Sequence, residues 1–140
     1  MYKMVRQCKL ESPNKVLVVD DELLVRNIIA KVLNRYLGCE VYTASSGREA
    51  ISFIKSVGFD IFLIDLAMSD ISGIELIKII HKLKLQTPIV VITGNGSDKD
   101  IVEANRLGIN QIVYKPFKIV TFLEVMADIL LEKEGVIDYA

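Results

Sequence analysis

Five polar residues that close short apolar runs carry the chemistry legible in this sequence. Asp20 and Asp21 follow Val16–Val19, Asp65 follows Ile61–Ile64, Thr93 follows Ile89–Ile92, and Lys115 follows Ile112–Tyr114. Carboxylates packed together repel one another and raise each other's pKa values. A divalent cation removes that penalty, and an all-oxygen donor set with room for water suits Mg²⁺. A nearby lysine meets a phosphoryl oxygen as a point charge, and a threonine hydroxyl can donate to another. Phosphoryl transfer asks for this kind of equipment, because positioning and charge neutralisation do most of its work. A carboxylate can itself attack phosphorus to give an acyl phosphate. Asp65 fits that role, standing alone at the end of its run with cation ligands from Asp20 and Asp21 beside it.

For these residues to meet, the elements carrying them must be arranged suitably. The runs named above are short, continuous and rich in β-branched residues, as strands covered on both faces are. Glu40–Ala44 is more polar and suits a strand at the sheet edge. Helical spacing fills the intervals. Leu24, Ile28, Val32 and Tyr36 make one stripe between Glu22 and Tyr36, with Gly38 beyond its end. Further helices are expected over Ser46–Val57 and about Gly73–Leu85, from an N-cap at Ser97 to Gly108, and after Pro116 with Ile119, Leu123, Met126 and Leu130 as its stripe. Five strand-then-helix repeats with right-handed crossovers give an α/β fold, an open parallel sheet between two helical layers. Ligands of such sheets bind beyond the carboxyl ends of the strands, where Asp20, Asp21, Asp65, Thr93 and Lys115 all fall. Taken singly, each has a plain structural role: Asp21 could cap a helix, Asp65 could end a strand, Thr93 could enter a turn, and Lys115-Pro116 could lead into a helix. Their convergence on matching strand ends favours the site.

The 140 residues are 51% hydrophobic and 25% charged, a globular composition with room for one domain over residues 15–131. Residues 1–14 read as an N-terminal extension and residues 132–140 as a tail. The formal net charge of -1 gives no electrostatic reason to expect nucleic-acid binding. The longest apolar runs are too short to span a bilayer, no apolar stretch follows the basic N-terminus as in a signal peptide, and Cys8 and Cys39 have no metal or redox spacing. A cytoplasmic location is expected.

At these residues the sequence resembles the receiver domain of bacterial response regulators over about Lys15 to Leu131. The resemblance rests on the acidic pair after the first strand, Asp65 with Met68 and Gly73 at matching offsets, Thr93-Gly94, and Lys115-Pro116-Phe117. It implies a flavodoxin-like (βα)5 three-layer sandwich with strand order 2-1-3-4-5. It also implies a stand-alone switch without substrate turnover of its own. A sensor histidine kinase or phosphotransfer protein supplies the phosphoryl group to Asp65. Asp21, Asp65 and the backbone carbonyl of Ala67 bind Mg²⁺ directly, with Asp20 acting largely through water. Lys115 and Thr93 contact the phosphoryl group, and the Lys115-Pro116 bond is cis. A downstream effector reads the face of the fourth helix, fifth strand and fifth helix.

Two departures stand out. Ile112 occupies the position where such domains often carry an aromatic switch residue, with Tyr114 two residues on and on the same strand face. Ser69 replaces a common proline after Met68, which points to a looser loop. Of the weaker features, His81 reads as a packing or helix-surface residue, and surplus apolar residues of the last helix (Val120, Val125, Ile129, Leu131) divide between core and a partner or homodimer surface. Three other functions compete with the switch. A receiver-fold module independent of phosphorylation keeps the fold without the chemistry. An Asp-x-Asp phosphatase lacks its second Asp, since the segment reads Asp20-Asp21-Glu22-Leu23. A flavin- or nucleotide-binding protein would need a Gly- or Ser/Thr-rich phosphate loop after the first strand.

Overall fold

The computed structural model describes residues 13–94 and 97–133. Residues 1–12 of the expected 1–14 extension, among them Cys8, then Asn95 and Gly96, and residues 134–140 of the expected 132–140 tail lie outside the described residues. Five strands, β1 (Lys15–Val19), β2 (Glu40–Ala44), β3 (Ile61–Asp65), β4 (Ile89–Thr93) and β5 (Gln111–Tyr114), form one parallel sheet in the order β2-β1-β3-β4-β5. They alternate with α1 (Leu23–Leu37), α2 (Gly47–Ser56), α3 (Gly73–Lys82), α4 (Asp98–Arg106) and α5 (Ile119–Lys133). This is the expected flavodoxin-like arrangement, with β3 at the centre and β2 at an edge. Helix α5 continues through Glu132 to Lys133.

The alternation of side chains along each strand builds two cores. Val16, Val18, Ile61, Leu63, Val90, Ile92 and Val113 pack against Ile29, Leu33, Phe122, Leu123 and Met126 of α1 and α5. Leu17, Val19, Phe62, Ile64, Ile89 and Val91 face Ala50, Ile54, Leu76, Ile77, Ile80 and Ala104 of α2, α3 and α4. Burying one such aliphatic side chain is worth about 1.5–3 kcal/mol, and both strand faces are buried. This is why the runs read as continuously apolar.

Helix ends follow local chemistry. Ser46, Ser72 and Ser97 accept hydrogen bonds from the N–H groups of Glu49, Glu75 and Asp100 at 3.2, 3.2 and 3.1 Å, capping α2, α3 and α4. Gly38 ends α1 at φ 67°, a left-handed conformation that costs glycine little. Helix α3 stops at Lys82, earlier than Leu85, because Lys84 turns left-handed at φ 59° and its N–H reaches the His81 carbonyl at 2.9 Å.

The buried stripes of α1 and α5 differ from the expected ones. Leu24, Ile28 and Tyr36 of α1 are exposed, while Ile29, Val32, Leu33 and Leu37 are buried. The buried stripe is rotated from the expected one and shares only Val32 with it. In α5, Leu123, Met126, Leu130 and Leu131 are buried, with Val125 and Ile129 packed against them. Ile119 and Val120, placed at the site end of the sheet, are exposed. His81 is exposed on α3 and therefore lies on the helix surface, not in the packing.

Candidate functional site

The parallel register brings the carboxyl ends of β1, β3 and β4 together, with β5 alongside β4. Asp20 directly follows β1 and is buried, as are Asp65 at the end of β3 and Thr93 at the end of β4. The structure joins Asp20, Asp65 and Lys115 directly: Lys115 Nζ lies 2.7 Å from Asp20 Oδ2 and 3.3 Å from Asp65 Oδ2. Asp21 is exposed, and one carboxylate oxygen from each of Asp20, Asp21 and Asp65 falls within 4.8 Å of the others. These are hard oxygen donors on a partly buried, partly open rim, the donor type that Mg²⁺ takes while keeping water ligands. Thr93 Oγ1 is buried with no hydrogen-bond partner among the described residues. A buried hydroxyl left so is costly, and a phosphoryl oxygen at this site would satisfy it.

Local geometry holds each group in place. The N–H of Asp20 donates to the Ala44 carbonyl at 3.1 Å. Arg26 Nη1 donates to the Asp20 carbonyl at 2.7 Å, and the Glu22 N–H donates to Asp20 Oδ1 at 2.8 Å. The Ala67 N–H donates to Asp65 Oδ1 at 3.1 Å, which orients the carboxylate and brings Ala67 beside it. The Lys115 N–H donates to the Thr93 carbonyl at 2.9 Å, extending the ladder one residue past Tyr114. A Cβ on Gly94 would come within 3.3 Å of Lys115 Cβ, so the glycine leaves the lysine stem its path. The Lys115-Pro116 peptide is cis, as expected.

Burial pushes the Asp65 carboxyl up to about 6; the Ala67 N–H opposes this, Asp20 adds to it, and Lys115 opposes it. Burial alone would lower Lys115, but its hydrogen bonds to Asp20 and Glu22 and the charges of Asp65 and Asp20 raise it above the ordinary lysine value. A carboxyl whose pKa rises on folding is held against ionisation. That cost is absent below the ordinary value of 3.8, grows as pH rises, and is fully present above about 6. Without divalent cations, Asp65→Asn should therefore stabilise the fold at pH 8 by about 1–2 kcal/mol, discounted for solvent at the rim. The gain should vanish near pH 4, roughly the ordinary carboxylate value. Thermal melts at the two pH values check this, and a lower melting temperature of the variant at pH 8 would contradict it.

Three contributors are not evident from residue type and spacing. Glu22 reaches Lys115 Nζ at 2.7 Å although it belongs to the start of α1. Arg26 holds the Asp20 backbone from one turn further along. Asp70 ties the loop after Asp65 to α2, accepting from the Gly47 and Arg48 N–H groups at 3.0 and 3.1 Å. The loop expected to be loose at Ser69 is thus anchored by its next residue. Backbone N–H groups of Ile71, Gly47 and Arg48 hold the Asp70 carboxyl below its ordinary value. Its stabilising effect is present above the ordinary carboxylate range and is lost as pH falls through the depressed value. Asp70→Ala should lower the melting temperature at pH 7, with the gap to wild type narrowing in acid. A gap independent of pH would contradict this.

The readout residues fall in different surroundings. Ile112 is half-buried against the α2–α4 core, whereas Tyr114, in register with Thr93, is exposed.

Sheet order and site together define a doubly wound α/β domain with an acidic, lysine-bridged cluster at its strand ends. The family model for the response regulator receiver domain matches residues 16–127, and the chain belongs to that family, the receivers of two-component systems. It is 33% identical over 102 residues to transcription factor SKN7 of Saccharomyces cerevisiae, covering 73% of this chain and 16% of that protein. It is 32% identical over 108 residues to the transcriptional regulatory protein TrcR of Mycobacterium tuberculosis, covering 77% of this chain and 42% of TrcR. The chain thus spans less than half the length of these curated relatives. Among solved structures, a CheY-like receiver domain protein from Methanospirillum hungatei superposes with a TM-score of 0.83 at 27% identity, covering 89% of this chain and 98% of that one. No helix among the described residues is long and apolar enough to cross a membrane.

Proposed function

We propose that Asp65 accepts a phosphoryl group from the phosphohistidine of a sensor histidine kinase or phosphotransfer protein, and that the modified domain changes its affinity for a downstream partner. The observation carrying this reading is the convergence of Asp20, Asp65 and Lys115 in one partly buried ion-paired cluster beside the unpartnered hydroxyl of Thr93.

In this reading Asp21, Asp65 and the Ala67 carbonyl would hold Mg²⁺, with Asp20 acting through water. Bound there, the cation neutralises charge on the carboxylates and on the transferring phosphoryl oxygens. Asp65 Oδ attacks phosphorus while the bond from phosphorus to the donor atom breaks, leaving an acyl phosphate and a released donor. Lys115 meets one phosphoryl oxygen as a point charge, and Thr93 Oγ1 donates to another. The domain is consumed as acceptor and regenerated by hydrolysis, with no separate substrate turned over. The partner reads the face of α4, β5 and α5 as a population shift between two states. Exposed Tyr114 lies on that face.

The alternative is a receiver-fold module that works without phosphorylation. It is favoured by Ile112, which offers no aromatic swing beside Thr93. Incubation with acetyl phosphate and Mg²⁺, read by intact mass, separates the two. The phosphorylation reading expects one added phosphoryl group, stable to mild acid and labile to base, that fails to form when a chelator removes the metal. Absence of label from several small donors would favour the module.

A further inference from the structure

We propose that Glu22 is a positioning residue that clamps Lys115 across the mouth of the site and competes with the incoming phosphoryl group for it. This rests on the phosphoacceptor reading of Asp65 and adds a regulating element to that site. Glu22 occupies the N-cap position of α1, yet its side chain makes no capping hydrogen bond. It reaches a residue 93 positions away, with Oε1 2.7 Å from Lys115 Nζ. The two ends of this contact differ in setting: the Glu22 side chain is 60% exposed and that of Lys115 only 14%. So exposed a pair adds little to stability, since ordering a glutamate and solvent screening offset most of its attraction. Its consequence falls on Lys115, which already has buried Asp20 and Asp65 as partners. A phosphoryl group on Asp65 needs the same ammonium, and Glu22 is the exposed and most readily displaced of the three carboxylates. Glu22 and Lys115 are also the charged residues lining an open groove of about 510 Å³, with Val25, Ile28, Pro116, Phe117 and Ile119.

The chemistry is transfer from acetyl phosphate: Asp65 Oδ forms a bond to phosphorus, the bond from phosphorus to the acetate oxygen breaks, and acetate leaves. Glu22→Gln keeps the shape and removes the charge. At saturating Mg²⁺ it should speed labelling by acetyl phosphate about three- to tenfold, by relief of repulsion and release of Lys115. The gain should be smaller with phosphoramidate, which carries less negative charge, and the melting temperature should hardly move. Glu103→Gln removes an exposed carboxylate that pairs with Arg106 and Lys78 away from the site, and should leave the rate unchanged. An unchanged or slower rate in Glu22→Gln, with wild type labelling normally, would overturn the proposal. A second measurement does not depend on phosphorylation. Trace acylation of lysines in the metal-free protein, mapped by mass, should show Lys115 more reactive in Glu22→Gln than in wild type. If wild type takes no phosphoryl group but Lys115 reactivity rises, the phosphoacceptor reading fails and the clamp stands; if reactivity is unchanged, the clamp fails.

Discussion

Asp65→Asn should abolish phosphoryl labelling by acetyl phosphate and Mg²⁺, while the variant should stay folded and melt no lower than wild type at pH 8 without divalent cations. The amide removes the attacking carboxylate and keeps nearly the same shape. Its Oδ1 can still accept the Ala67 N–H that holds Asp65 Oδ1 at 3.1 Å. Lys115 keeps Asp20 at 2.7 Å, so the cluster survives without its nucleophile. Neutral amide oxygen is a poor nucleophile toward phosphorus, and among the described residues no other carboxylate combines the central strand position of Asp65 with contacts to Lys115 and Ala67. Intact mass after a timed incubation reads the result. A single phosphoryl group persisting in the variant would place the acceptor elsewhere.

Gly73→Ala should be the most damaging single-methyl change. A Cβ at this position would sit 2.4 Å from the Asp65 carbonyl oxygen and 2.6 Å from Leu66 Cα. Both are backbone atoms at the end of the central strand and cannot swing aside as a side chain would. The Gly73 N–H also donates to the Leu66 carbonyl at 3.0 Å, so the α3 N-terminus is bonded to the very backbone the methyl would push away. Overpacking of this kind typically costs about 1–3 kcal/mol, and more where the backbone must move. The displacement acts on Asp65 itself, so labelling should slow by an order of magnitude or so beyond the loss from unfolding. Gly58→Ala is the control: a Cβ there meets nothing within 4 Å, and both stability and labelling should match wild type. Urea melts and labelling rates of the two variants test this. Equal behaviour of both would contradict the close packing of Gly73 against β3.

The fold was legible because its sheet is buried on both faces, which makes each strand a continuous apolar run and puts Asp65, Thr93 and Lys115 directly at the run ends. Ser46, Ser97 and Gly38 mark helix ends through local chemistry. The buried stripe of α1 is not legible in spacing because this helix is apolar on more than one face: Leu24, Ile28 and Tyr36 keep helical spacing yet face solvent, and packing against β1, β2 and α5 selects Ile29 and Leu33. The site was legible in the residues that end strands and illegible in those that begin helices or sit in loops. Glu22 and Asp70 act through tertiary approach, Glu22 to Lys115 and Asp70 to the α2 N-terminus, while Arg26 reaches a backbone carbonyl six residues back; residue type and spacing encode none of these contacts. Asp70 also explains why a loop without proline at Ser69 still holds its place behind Asp65.

The most direct test of the central claim is chemical mapping of the acceptor. Protein labelled by acetyl phosphate and Mg²⁺ is reduced with borohydride, which converts an aspartyl phosphate to homoserine, then digested and sequenced by mass spectrometry. Homoserine is expected at position 65 alone. Homoserine at Asp20 or Asp21, the corresponding alcohol at Glu22, or an unreduced phosphate on a hydroxyl such as Thr93 would contradict it.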